Sequence, residues 1–475
     1  MILGSQSFGG LNAQTRLLAR FASKLNYNEL PQEVVDHTKI CVLDALGSIF
    51  LGSTLPWGKI VLEYVKSAGG KAESVVVGSG VKVAAGNAAL ANGTMGHGFE
   101  VDDVYIPAIH HPGIVVVPAA LATAEREAST GKEFIAAVIV GYEVMNRVGR
   151  AVGAESHIMR GFFPTGTNGP FGAAVSTGKL LHLTEDQMTD ALGIAGSQSG
   201  GLFEGIKEGR MTKRFGAGRA AQSGLMAADL AKLGFTGPTK VIEGEWGYLK
   251  AFSDKAYPSW LTEKLGQSYS IMETTFKPYP CCKALHAAID GILELNREYR
   301  FDPEQVKEVV IGGYEKLVKM HDIYEPFTSM AAQFSIPYVV CVALLKGSLG
   351  IEAFSERSIK DKKVLEFAQK VRTIVDPDVA PYFPASEPSK VTVRLRNGNS
   401  YSKTIIYSKG TPNNPMSSRE LEAKFKGFAS RVVSENQAEK AIAMILQLDT
   451  LGSVKELSSL LRKRLKKPTK VLLRT

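Results

Sequence analysis

Apolar residues recur at helical spacing through most of the first 270 positions. Over 32–51 they fall at Val34, Val35, Ile40, Val42, Leu43 and Leu46, behind Pro31, a residue that a first helical turn tolerates. The same period predicts helices over 115–128, 132–152, 172–183, 184–198 and 220–233. Thr184 followed by Gln187 has the form of a capping box, and Gly234 supplies a helix stop.

The texture changes near Phe276. A β-branched run, Val309-Val310-Ile311, marks a strand within 306–316, and two alternating stretches flank Asn397-Gly398, which predicts a hairpin over 391–407. Helical patterns over 334–346 and 360–371 lie between, and others follow over 418–428, 437–446 and 454–465. The expected fold is mostly α: a large all-helical domain (1–270 and 409–475) with an inserted, smaller α+β lid domain (271–408).

Composition agrees with a folded chain: of 475 residues, 44% are hydrophobic and 22% charged. The start, Met1-Ile2-Leu3-Gly4-Ser5, lacks a basic segment leading into an apolar one, and no apolar run approaches the ~20 residues of a membrane span, so a cytoplasmic protein without membrane contact is expected. Four cysteines without a Cys-x-x-Cys suit a reducing compartment and argue against clustered-cysteine metal sites. Seven of the basic residues fall between Arg462 and Arg474, and removing them from the net charge of +9 leaves +2. This basic tail reads as a solvated extension, which makes nucleic acid an unlikely partner.

Walker and dinucleotide-binding loops are absent, and Gly196-Ser197-Gln198-Ser199-Gly200 lies in a helical pattern with the wrong spacing for a nucleophile elbow. Three other clusters carry candidate chemistry. Between His97 and His111 fall three histidines (His97, His110, His111) and three acids (Glu100, Asp102, Asp103), in a loop between apolar helices. Imidazoles move protons near neutrality and carboxylates fix their tautomers. His110 and His111 are adjacent and lack the i, i+4 ligand spacing of a helical zinc site, so no metal is expected. Five cations between Lys207 and Arg219, among them Arg210, Lys213 and Arg219, suit an anionic ligand. The third stretch, Lys277-Pro278-Tyr279-Pro280-Cys281-Cys282, approaches a helix carrying His286 on its inner face.

Taken together these segments resemble the MmgE/PrpD family, which includes 2-methylcitrate dehydratases, cis-aconitate decarboxylases and iminodisuccinate epimerases. The resemblance runs along nearly the whole chain, through Glu100-Val101-Asp102-Asp103, His111-Pro112, Met211-Thr212-Lys213-Arg214, Lys277 to His286 and Phe334-Ser335-Ile336-Pro337-Tyr338. It implies a homodimer, a cleft between helical and lid domains, no cofactor, and His111, Lys213, His286, Asp103 and Glu100 as catalytic residues. Arg210, Arg219, His110, Tyr105 and Phe163 would then contact the substrate. Tyr105, Phe163 and Gly216 stand where the family often has His, which points away from a tricarboxylate decarboxylase.

The implied reaction is proton transfer at a carbon α to a carboxylate in a small di- or tricarboxylic acid (2-methylcitrate-like). His111, oriented by Asp103 or Glu100, would move the proton, and His286 would serve the opposite face. Dehydration ranks first, epimerisation second and decarboxylation third. A non-catalytic anion- or nucleic-acid-binding protein is the alternative from another class.

Overall fold

A computed structural model describes residues 13–463. The basic tail beyond Lys463 lies outside the described residues. The architecture is mostly α, with twenty α-helices and two small sheets among the described residues. The long apolar stripe becomes helix Gln32–Ser53, whose inner positions from Val34 to Gly52 are largely buried. Around it pack helices Ala85–Gly96, Gly113–Glu127, Gly131–Val152, Pro164–Leu180 and Thr212–Lys232. Thr184 and Gln187 form the expected capping box.

Two boundaries shift in ways that matter for the site. Pro164 at a first-turn position starts its helix eight residues before the expected 172. Helix Thr212–Lys232 likewise begins ahead of 220, running through Gly216 and Gly218. A Cβ on Gly218 would lie 2.2 Å from the Leu90 carbonyl oxygen, so this glycine lets the helix touch Ala85–Gly96 backbone to backbone. Lys213 is therefore fixed on the first turn of a packed helix, beside the loop that follows Gly96.

In the α+β part, four strands lie in the order Val371–Val375, Val306–Gly313, Ser389–Leu395 and Ser400–Ile405. The last two form the expected antiparallel hairpin. The first pairs parallel to Val306–Gly313. The sequence reading missed it, because the helical pattern at 360–371 continues into it; the helix ends at Ala368, and the β-branched residues beyond complete the sheet edge.

The all-helical expectation for the large part needs one small correction, a two-residue antiparallel ribbon of Ser74–Val75 with Lys82–Val83. The α+β part has its own hydrophobic cluster, built on Ile289, Val309, Val339 and Val391, and Leu51, Phe99 and Val101 of the helical part belong to it. Ile271 and Phe276 instead join the helical core. The chain returns through helix Ser418–Ala429, whose Phe425 meets Phe50 edge-on and whose Lys424 pairs with buried Asp44 at 2.6 Å. No single helix among the described residues is long and apolar enough to cross a membrane.

Candidate active site

Beyond Gly96 the chain leaves the helix, and two residues with positive φ, Glu100 (56°) and Ile109 (50°), bend it into a compact loop. The loop is pinned by backbone bonds from Tyr105 to His110 and between Val104 and Thr275. Its acids have separate tasks. Asp103 turns back into the helical core, where its carboxylate accepts from Gly113 N–H at 3.0 Å and Tyr142 Oη at 2.7 Å. Burial, then the nearby Asp44 carboxylate, push its pKa up to about 8.

Asp102, its neighbour, points the other way and joins two imidazoles. Its Oδ2 lies 2.8 Å from His97 Nδ1 and 3.0 Å from His111 Nδ1. Burial opposes ionisation of this carboxyl, but the two rings outweigh it and hold the pKa well below the usual range. His111 Nδ1 also donates to the Asp103 carbonyl oxygen at 2.8 Å, which leaves Nε2 as the ring nitrogen for the cavity that His111 lines. The orienting carboxylate is thus Asp102, correcting the expectation of Asp103 or Glu100; Asp103 contributes only its backbone oxygen. His97, stacked on Phe163, is pulled down to about 4 by burial and is uncharged near neutrality.

His97, Asp102 and His111 also form a candidate metal trio. Donor separations of 2.8 and 3.0 Å are hydrogen-bond distances. A tetrahedral zinc at about 2.0–2.1 Å from each ligand would spread the donors beyond about 3.2 Å. The trio fits shared hydrogen bonding to one carboxylate better than it fits an ion.

Glu100 sits between two ammonium groups, one carboxylate oxygen paired with Lys213 and the other 3.0 Å from Lys277. Burial would raise its pKa, but these cations dominate and hold it well below the ordinary range. Lys277 responds in the opposite direction: burial lowers its pKa, and the Glu100 charge more than reverses that. Glu100, Lys213, Lys277, His111 and Phe163 border one cavity of about 120 Å³, closed on the other side by Cys282, Lys283, Phe334 and Glu387. That is small beside the ~300–1,000 Å³ of drug-sized pockets and suits a compact substrate.

Other expected site residues fall elsewhere. His110 is fully buried behind the wall, bonded to Asn146 and Asn168, and burial takes its pKa to about 3. Tyr105 is buried with its hydroxyl toward Glu273. His286 opens helix His286–Tyr299, fully buried against Tyr279, with Nε2 3.4 Å from the Cys281 carbonyl oxygen, and it does not border the cavity. Burial and then Lys283 and Lys277 hold it well below its ordinary pKa, so it stays uncharged.

Arg210 pairs with Glu208 at the surface and Arg219 bonds Gln222 on the exposed side of its helix; neither lines the cavity. Arg210 lies ahead of the helix, which begins at Thr212, and Arg219, six residues beyond Lys213, falls on another of its faces. Arg210→Ala and Arg219→Ala are accordingly expected to leave KM within about twofold, as surface changes remote from a site usually do; a tenfold rise in steady-state assays would return them to the substrate.

The sequence reading assigned no role to Asp102, Lys277, Lys283 or Glu387. Asp102 and Lys277 were legible in their clusters, but Asp103 and Glu100 beside the first and His286 beyond the second drew the assignments. Glu387 had no local signal, since it comes from an irregular segment ahead of strand Ser389–Leu395.

The family model of the MmgE/PrpD N-terminal domain matches residues 16–261, and that of the MmgE/PrpD C-terminal domain matches residues 279–450. A cis-aconitate decarboxylase of Aspergillus terreus is 28% identical over 489 residues, with 98% of each chain covered. A cis-aconitate decarboxylase of Homo sapiens is 27% identical over 471 residues, with 95% of each covered. A cis-aconitate decarboxylase-like protein, oryM, of Aspergillus oryzae is 25% identical, covering 94% of this chain and 97% of its own.

Proposed function

The chain belongs to the MmgE/PrpD family of enzymes, and on that premise we propose that it is a lyase of small polycarboxylic acids, working by proton transfer at a carbon α to a carboxylate. The observation that carries this reading is the shared cavity, which His111 borders together with the Glu100–Lys213–Lys277 cluster. When a bond at the α carbon breaks heterolytically, its electron pair spreads into an adjoining carboxylate, and fixed ammonium groups stabilise the added charge. His111, with Asp102 behind Nδ1, is the group that carries the proton.

Among possible outcomes we favour decarboxylation. The carbon–carboxylate bond breaks, carbon dioxide leaves, the electron pair stays with the substrate, and His111, protonated from solvent, delivers one proton to the carbanion. One imidazole on the wall is enough. Dehydration asks for a second group to protonate the departing hydroxyl; His286, expected for that task, is not on the wall, and Lys283 or Glu387 would have to take its place. The curated relatives, named as decarboxylases, favour the same ordering. Phe163 on the wall weighs on the other side, as an apolar surface against a charged substrate, and keeps dehydration as the second reading.

Incubation of the full chain with cis-aconitate and with 2-methylcitrate in heavy water tests the proposal. Carbon dioxide release with one solvent deuterium in the product is the expected result. Loss of water would support the second reading, and deuterium exchange without mass loss would indicate an epimerase. Absence of all three across a panel of such acids would sink the lyase reading. A homodimer in the cytosol accompanies this reading, and light scattering on the purified chain checks the dimer.

A further inference from the structure

Three lysines border the cavity, and they are not equivalent. Lys213 and Lys277 already share the Glu100 carboxylate. Lys283 comes from the turn Lys283–Leu285 on the α+β side, is buried, and donates to the hydroxyl of Ser408, a neutral acceptor. Among the described residues no carboxylate forms a salt bridge with it. Asp290, one of the acids acting on it, is taken up by Tyr279 Oη at 2.7 Å and Lys409 N–H at 2.6 Å. Glu387, the other, stands on the same cavity wall beside Tyr314. Lys277, Cys281 and His286 complete its titratable surroundings.

A buried ammonium bonded only to a hydroxyl has no carboxylate in direct contact, since Glu387 and Asp290 act on it without forming a salt bridge, and the space it borders is the substrate cavity. We infer that Lys283 anchors a substrate carboxylate, so that the cavity selects a tricarboxylate over a dicarboxylate lacking one arm. This rests on the polycarboxylate reading and adds to it a residue and a substrate class.

The electrostatics support the assignment. Burial lowers Lys283 to about 8, against the opposing pull of Glu387 and Asp290. A carboxylate arriving in the cavity stabilises the ammonium form and raises that value. Ligand binding therefore takes up a proton near and above pH 8, and affinity falls by up to about tenfold per pH unit above it.

Calorimetric titration of the full chain with cis-aconitate and with citraconate, which has a methyl group in place of the CH2COO− arm, separates the possibilities. Wild type is expected to prefer cis-aconitate by about 10–100-fold, the worth of a charged hydrogen bond. Lys283→Met should bind the two within about threefold, and Lys283→Arg should keep the preference but lose the weakening above pH 8. A well-folded Lys283→Met with the wild-type ratio overturns the inference, as does a wild type without preference. Should Lys283→Met not fold, Lys283→Arg decides: weakening above pH 8 as steep as wild type's overturns it. If wild type binds neither acid, the polycarboxylate reading fails and the inference falls with it.

Discussion

Replacing His111 by glutamine is expected to lower kcat by about 10²–10⁴-fold, the usual worth of a positioned general acid or base, while the melting temperature stays near wild type. Glutamine keeps a polar group in the space without a titratable ring. Asp102→Asn should approach the same loss by a different route. The carboxylate accepts from His111 Nδ1 and so reserves Nε2 for the substrate. An amide at that position offers an N–H, favours the opposite tautomer and removes the charge that stabilises an imidazolium; in a hydrolase triad the equivalent change costs about 10⁴-fold.

Because the two residues act as one unit, the double variant should be no slower than the worse single, where independent effects would multiply. Steady-state kcat of the three variants decides the matter. A loss below about threefold for His111→Gln removes this ring from the chemistry, given the 10²-fold lower bound.

The contrast between Asp102 and Asp103 shows what the sequence could and could not disclose. The stretch Glu100-Val101-Asp102-Asp103 announces acidic chemistry, but which acid faces the ring depends on the positive φ at Glu100 and on the packing of Tyr142 from another helix. Neither is visible in local spacing. Helix existence was legible wherever apolar residues kept the helical period, and the hairpin wherever Asn-Gly separated alternating runs. Strand Val371–Val375 was not, because the one strand it pairs with among the described residues is Val306–Gly313, some sixty residues earlier.

Lys213 was legible as a cation near an anion site. Its placement in a helical first turn was hidden by Gly216 and Gly218, which local propensity counts against a helix and close packing onto Ala85–Gly96 rewards. His286 failed for the converse reason: an inward-facing histidine after a Lys-Pro segment satisfies the pattern of a site residue, yet the turn at Lys283–Leu285 points Lys283 to the cavity and leaves the histidine behind it.

Glu100→Gln is expected to have the largest effect on stability of any single change at the site. The substitution keeps the shape and removes the one negative charge shared by Lys213 and Lys277, leaving two buried ammonium groups facing a neutral amide. Breaking a buried pair in this way costs about 3–5 kcal/mol. The pH dependence distinguishes this from a packing defect. The folded-state pKa of Glu100 lies well below its ordinary 4.5, so its contribution is complete above that value and is lost as the pH falls through the depressed one.

Lys277 is raised, so its contribution is present below its ordinary 10.5 and is lost only as the pH climbs through the higher folded value. The stability gap between wild type and Glu100→Gln should thus be widest from about neutrality up to the lysine range and should close on strong acidification. Adding Lys277→Met to Glu100→Gln should recover part of the loss by removing one stranded charge. Urea unfolding across pH measures both; a gap that stays constant down to the acid limit would mean that the carboxylate holds the cavity by shape and not by charge.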